Sequence, residues 1–209
     1  MSPLVISRVN ADETLARAPY VRPAPRERIL ETAYELFSRC GVRGVGVDEI
    51  VERAGVAKAT LYRHFPTKDE LVLAFLELRE QRYTHDLIEA GSGRIASTPE
   101  GRLLAIFDVL SEWFRSEDFE ACSFINVLLE LGREHPAGAA SIRHLENVRV
   151  YLERLAREAG LREPRSFACG WHILMKGAII AAAEGDVEAA QRAKEIGRAM
   201  LPQYASGES

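Results

Sequence analysis

The sequence lacks any uninterrupted apolar run near the ~20 residues that a membrane span needs. The closest, Ala178 to Ala183, follows Lys176 and ends at Glu184. Cysteine is scarce: Cys40, Cys122 and Cys169 are odd in number and widely spaced, which excludes a disulfide framework and points to reduced thiols. No basic stretch leads into an apolar one at the N-terminus, so a cytoplasmic protein without a membrane partner is expected. Neither charge dominates. The 27 Lys/Arg against 31 Asp/Glu, net −4, argue against a chain that coats itself with nucleic acid. Nowhere do β-branched residues alternate over a strand length.

Enzyme chemistry is missing as well. The five histidines show no His-x-x-x-His spacing, and no glycine-rich phosphate loop follows a strand. Cys169 and His172 stand three apart, but two ligands do not make a zinc site, and helix packing explains them. The expectation is no enzyme, no metal and no cofactor.

What is present is helical periodicity. With 209 residues, 47% hydrophobic and 28% charged, the chain can build one substantial core or two small ones. Residues 1–25, with four prolines, read as an arm. Ile29, Ala33, Leu36, Phe37 and Cys40 then form one helical stripe, closed at Gly41. A short helix over 47–54 ends at Gly55, and another over 58–64 ends before Pro66. Thr67 to Glu70 is a capping box that opens a helix to about Glu89, ahead of a loop at Gly91-Ser92-Gly93. Thr98-Pro99 starts the next helix, to Arg115. Further helices are expected over 121–134, 137–159, 165–184 and 186–201. The fold class is all-α, with about nine helices.

Charge is uneven along the chain. Residues 1–85 carry 13 Lys/Arg against 12 Asp/Glu, and residues 86–209 carry 14 against 19. A nucleic-acid face therefore belongs in the first part. There, short helix, glycine turn and short helix meet the steric requirement of a helix-turn-helix. With Leu61 and Phe65 inward, Lys58, Ala59, Thr60, Tyr62, Arg63 and His64 are left outward or tangential. Small, hydroxyl, aromatic and basic groups of this kind suit a major groove.

Residues 26–75 resemble the N-terminal domain of the tetracycline-repressor (TetR) family of bacterial transcriptional regulators. The resemblance rests on the stripe with Phe37, on Gly41 and Gly44, and on Asp48-Glu49-Ile50. Its most specific part is Ala54-Gly55-Val56 leading into Thr60-Leu61-Tyr62-Arg63-His64-Phe65, followed by Lys68 and Leu71. It implies a DNA-binding domain over 26–70 and a ligand-binding and dimerisation domain over 71–209. It also implies a homodimer on a palindromic, double-stranded operator, released by a small-molecule effector. Lys58, Ala59 and Thr60 look like base-edge contacts, Tyr62, His64 and Lys68 like phosphate contacts, and Arg63 like either. Gly46, Val47 and Ala57 stand where relatives often carry hydroxyl groups.

Apolar and polar residues on the later helices supply candidates for an apolar or aromatic effector: Phe107, Trp113, Phe124, Asn126, Glu130, His172 and Lys176. Trp171, Met175, Ala178, Ile179 and Ala182, with Ala190, Ala193 and Ile196, form a face rich in small residues. That face serves either the protomer's core or a four-helix dimer interface, and the resemblance favours the interface. Two alternatives remain. One is a thiol-reactive sensor on the same scaffold, since Cys122 starts a helix whose dipole favours a thiolate. The other is a protein-interaction module without DNA binding.

Overall fold

A computed structural model describes residues 23–205. Most of the expected arm, residues 1–22, lies outside them. Pro25 already opens a helix, at the first position, where its missing N–H costs nothing.

Among the described residues there are nine helices and no strand. The first three, α1 (Pro25–Gly44), α2 (Val47–Ala54) and α3 (Lys58–His64), make the head. Helix α4 (68–95) is one continuous rod, α-helical over Lys68–Arg79, π-wound over Glu80–Glu89 and α-helical again over Ala90–Ile95. The body adds α5 (Pro99–Phe114), α6 (Ser123–Leu131), α7 (Pro136–Glu158), α8 (Pro164–Ala183) and α9 (Ala189–Tyr204).

Local chemistry accounts for most boundaries. Gly41 takes φ 73°, breaking α1 before one further turn. Gly55 is left-handed, and Gly55 and Val56 N–H bond back to Glu52 and Val51 carbonyls, which closes α2. Thr67 and Thr98 hydroxyls accept from Glu70 and Gly101 N–H.

The expected loop at Gly91-Ser92-Gly93 is not a loop. Gly91 and Ser92 are buried inside the last turns of α4. A Cβ on Gly91 would lie 3.0 Å from Val109, and Ser92 Oγ sits 2.8 Å from Tyr151 Oη. Glycine here lets α4 approach α5; it does not end a helix. At the other end of the body, α9 starts three residues later than expected and runs through Pro202 in its final turn.

The head core is Ile29, Ala33, Leu36 and Phe37 against Ile50, Leu61, Phe65 and Phe75, all buried. Each large side chain buried there contributes about 1.5–3 kcal/mol. In the body, Trp171 is sandwiched between Phe107 and Phe167, with ring centroids 5.3 and 5.1 Å away. It reaches α9 only because position 197 is glycine, where a Cβ would meet the indole at 2.7 Å.

This packing corrects the expected dimer face. Trp171, Met175, Ala178, Ile179, Ala182, Ala190 and Ala193 are all buried in the protomer's own core. Of that set only Ile196 is exposed. Helix α8 is apolar on two sides, and Trp171, Met175, Ala178, Ile179 and Ala182 lie on the inner one. Its outer side carries Ile173, 69% exposed, with Gly177 and Ile180. By length and composition α8 could cross a membrane, yet its inner side is core.

Candidate nucleic-acid interface

Helix α3 splits its residues cleanly. Leu61 turns inward with Phe65 just beyond it, both buried, while Lys58, Ala59, Tyr62 and Arg63 are exposed and Thr60 and His64 half-buried. Every third or fourth residue is spent on the core, so the remaining residues form one continuous outer surface. Tyr62 shows its ring to solvent at 42% exposure. Neither Gly46 nor Ala57 provides a side-chain cap, as the missing hydroxyls imply.

Two lysines are already engaged. Lys58 Nζ lies 2.6 Å from Asp48 Oδ1, and that hydrogen bond, aided by the carboxylate's charge, holds the ammonium above its usual pKa. The pair links the start of α3 to α2. Lys68 Nζ donates to Val42 and Val45 carbonyls at 2.6 and 2.7 Å and sits 5.9 Å from the Phe37 ring centre. An ammonium has three donors. Two of them tie α4 to the turn ahead of α2, so Lys68 braces the head, a role that its place in the sequence did not suggest.

Behind this surface, polar contacts fasten head to body. Arg39 Nε pairs with Glu120 at 3.0 Å, and Glu130 accepts from Arg43 N–H at 2.9 Å. Nearby, His135 lies 3.4 Å from Asp69 at the start of α4. Glu130, expected as a ligand contact, instead latches the end of α1 through the Arg43 N–H. A Cβ at Gly41 would stand 2.4 Å from Glu130 Oε1, so that position needs glycine for space as well as for φ.

The other ligand candidates do not converge. Phe107 is wedged against Trp171, Phe124 stacks on His144 at 5.1 Å, and Asn126 faces solvent. His172 is buried 3.5 Å from Arg149, and burial, with Lys176 and Arg149 nearby, lowers its pKa to about 3. Burial likewise lowers Lys176. Trp113 alone among them borders a cleft, of about 340 Å³, between α1, α4, α5 and the 115–122 loop. That cleft includes Tyr34 and Arg79, which sequence reasoning missed. The signal was there: Arg79 falls on the apolar stripe of α4, four residues from both Phe75 and Tyr83.

Burial also works against the thiol-reactive alternative at Cys122. Cys122 caps α6 but is buried, and desolvation pushes its thiol up, outweighing the N–H groups of Ile125 and Phe124. Among the described residues no group of three or more His, Cys, Asp or Glu could hold a metal.

Comparison with known proteins agrees with this architecture. Residues 29–75 match the family model for bacterial regulatory proteins of the tetR family. A helix-turn-helix transcriptional regulator of Staphylococcus aureus is 41% identical over 165 residues, covering 61% of this chain and 89% of the relative. The transcriptional activator FasR of Mycolicibacterium smegmatis is 38% identical over 81 residues, 39% of this chain but only 35% of FasR. A TetR-family regulator of Streptomyces coelicolor superposes with a TM-score of 0.80 at 28% identity, over 87% of this chain and 90% of that one. Helix-turn-helix head, helical body and these relatives together show that the chain belongs to the TetR family of transcriptional regulators.

Proposed function

We propose that this regulator is a repressor that binds a palindromic operator as a homodimer, through the outer surface of α3. The observation that carries the reading is the sidedness of that helix. Leu61 and Phe65 fix it to the head, and a contiguous run of small, hydroxyl, aromatic and basic groups is left facing out. Lys58, Ala59 and Thr60 sit where base edges are read, with Arg63 beside them. Tyr62 and His64 hold phosphates, and Lys68 keeps its third N–H for one. Domain roles follow: residues 26–70 bind DNA, and residues 71–209 dimerise and sense.

Dimerisation falls to the outer side of α8 and α9. Ile173, Ile180 and Ile196 are exposed there, and Ile173 and Ile196 line a groove with Gly177 and Ala181. An exposed apolar patch of this kind is normally covered, and a second copy presents the same patch to it. An effector acts by binding better to a head arrangement that DNA does not accept. Bound at its operator the regulator represses, although one relative, FasR, is named an activator.

A footprint on the DNA upstream of the protein's own reading frame tests this. Two protected half-sites one helical turn apart, about 34–36 Å, are expected. Protection that persists unchanged in Tyr62→Ala, or none at all on duplex DNA, contradicts the reading.

A further inference from the structure

The cleft between head and body contains a buried arginine that makes no ion pair among the described residues. Arg79 is 5% exposed and donates to the Tyr34 hydroxyl at 2.8 Å and the Ala121 carbonyl at 3.2 Å, both neutral acceptors. Its guanidinium lies 5.4–5.9 Å from the ring centres of Tyr34, Tyr83 and Trp113. Among the described residues it makes no ion pair. The neighbouring arginines are matched: Arg39 with Glu120, and Arg82 with Glu31. Arginine cannot shed its proton. A buried cation held only by neutral dipoles and ring faces is costly, and an anion beside it removes much of that cost.

The space beside Arg79 is of ligand size, about 340 Å³, and the buried rings of Tyr83 and Trp113 form part of its wall. At the wall stand Glu35 and Asp118, exposed and without an ion pair among the described residues. Their charges oppose a second negative group on whatever enters.

We propose that this cleft is a binding site for a small apolar monocarboxylate. The carboxylate pairs with Arg79, and the apolar body lies against Tyr83, Leu87 and Trp113. The free N–H groups of a guanidinium accept a carboxylate in a charge-assisted contact that no neutral oxygen matches. An occupant touches α1 of the head and α4 of the body at once. Any effect on DNA binding rests on the function proposed above, but occupancy itself does not.

Calorimetric titration of the full-length protein, without DNA, tests the site with three probes: phenylacetate, its neutral amide phenylacetamide, and the dianion phthalate. Phenylacetate is expected to bind saturably, with a dissociation constant of about 1 mM or tighter. The amide and phthalate should each bind at least about tenfold more weakly, as should phenylacetate to Arg79→Gln. Arg79→Gln removes a core contact, so the exposed pair Glu35→Gln and Asp118→Asn gives an independent reading: it should strengthen phthalate binding several-fold. Equal affinity for acid and amide, no saturable binding of phenylacetate, or indifference of phthalate to the wall variants overturns the proposal. A separate footprint with phenylacetate addresses regulation: binding without release of DNA leaves the site in place and contradicts only its regulatory use.

Discussion

Single residues in the head divide into those that face out and those that hold the others in place. Tyr62 faces out and packs little, so Tyr62→Ala should weaken operator binding by about 1 kcal/mol or more, roughly fivefold, with the melting temperature unchanged. Titration of a labelled operator beside a thermal melt checks this. Lys68 behaves differently. Its two bonds to the Val42 and Val45 carbonyls mean that Lys68→Ala should lower both stability and affinity. Gly41 is a third kind. At φ 73°, with Glu130 Oε1 where a Cβ would go, Gly41→Ala should cost about 2 kcal/mol in denaturant unfolding. The sequence showed that glycine must stop the helix at 41. It could not show Glu130, which comes from 89 residues further along.

Elements were legible where the signal was local. Val47–Ala54 and Lys58–His64 appear with the expected bounds because Gly55 and Pro66 are unambiguous punctuation. Gly91-Ser92-Gly93 misled because the same residue that ends one helix lets another approach closely. The outer face of α3 was readable, since Leu61 and Phe65 had to be buried. The two apolar sides of α8 were not, because periodicity cannot say which side meets α9 and which is left outside. If the proposed dimer forms through that side, Ile173→Glu, at 69% exposure, should yield a folded monomer of half the dimer's mass by sedimentation, with operator affinity largely lost. Trp171→Ala, on the inner side, should instead unfold the body, at a cost of about 3–5 kcal/mol.

His172 on the same helix supplies a pH signature. Buried beside Arg149 and Lys176, it stays neutral in the folded protein down to about pH 3, whereas an unfolded histidine takes a proton near 6.5. Its contribution to stability is thus present above about pH 6.5 and drains away as pH falls toward 3. The slope is at most about 1.4 kcal/mol per pH unit. His172→Gln should flatten that part of a stability-versus-pH curve measured by denaturant unfolding.

At the scale of the whole molecule, charge and shape point the same way. The net charge is −4, yet the balance through residue 85 is slightly positive and the remainder is acidic. An acidic body discourages non-specific coating, and the exposed basic groups of α3 fall in the slightly positive part of the chain. The head is tied to the body by Arg39–Glu120 and Glu130–Arg43, so a change in the body has a route to the head. The cleft with Arg79 lies on that joint.

The most direct measurement is the salt dependence of binding to duplex DNA carrying the footprinted operator. Phosphate neutralisation by paired α3 surfaces releases counterions, so log affinity should fall linearly with log salt. Its slope should be near −0.9 per phosphate contact and become less steep in Arg63→Ala. An affinity for duplex that ignores salt, or a protein that binds as a monomer with the same slope, would contradict the account.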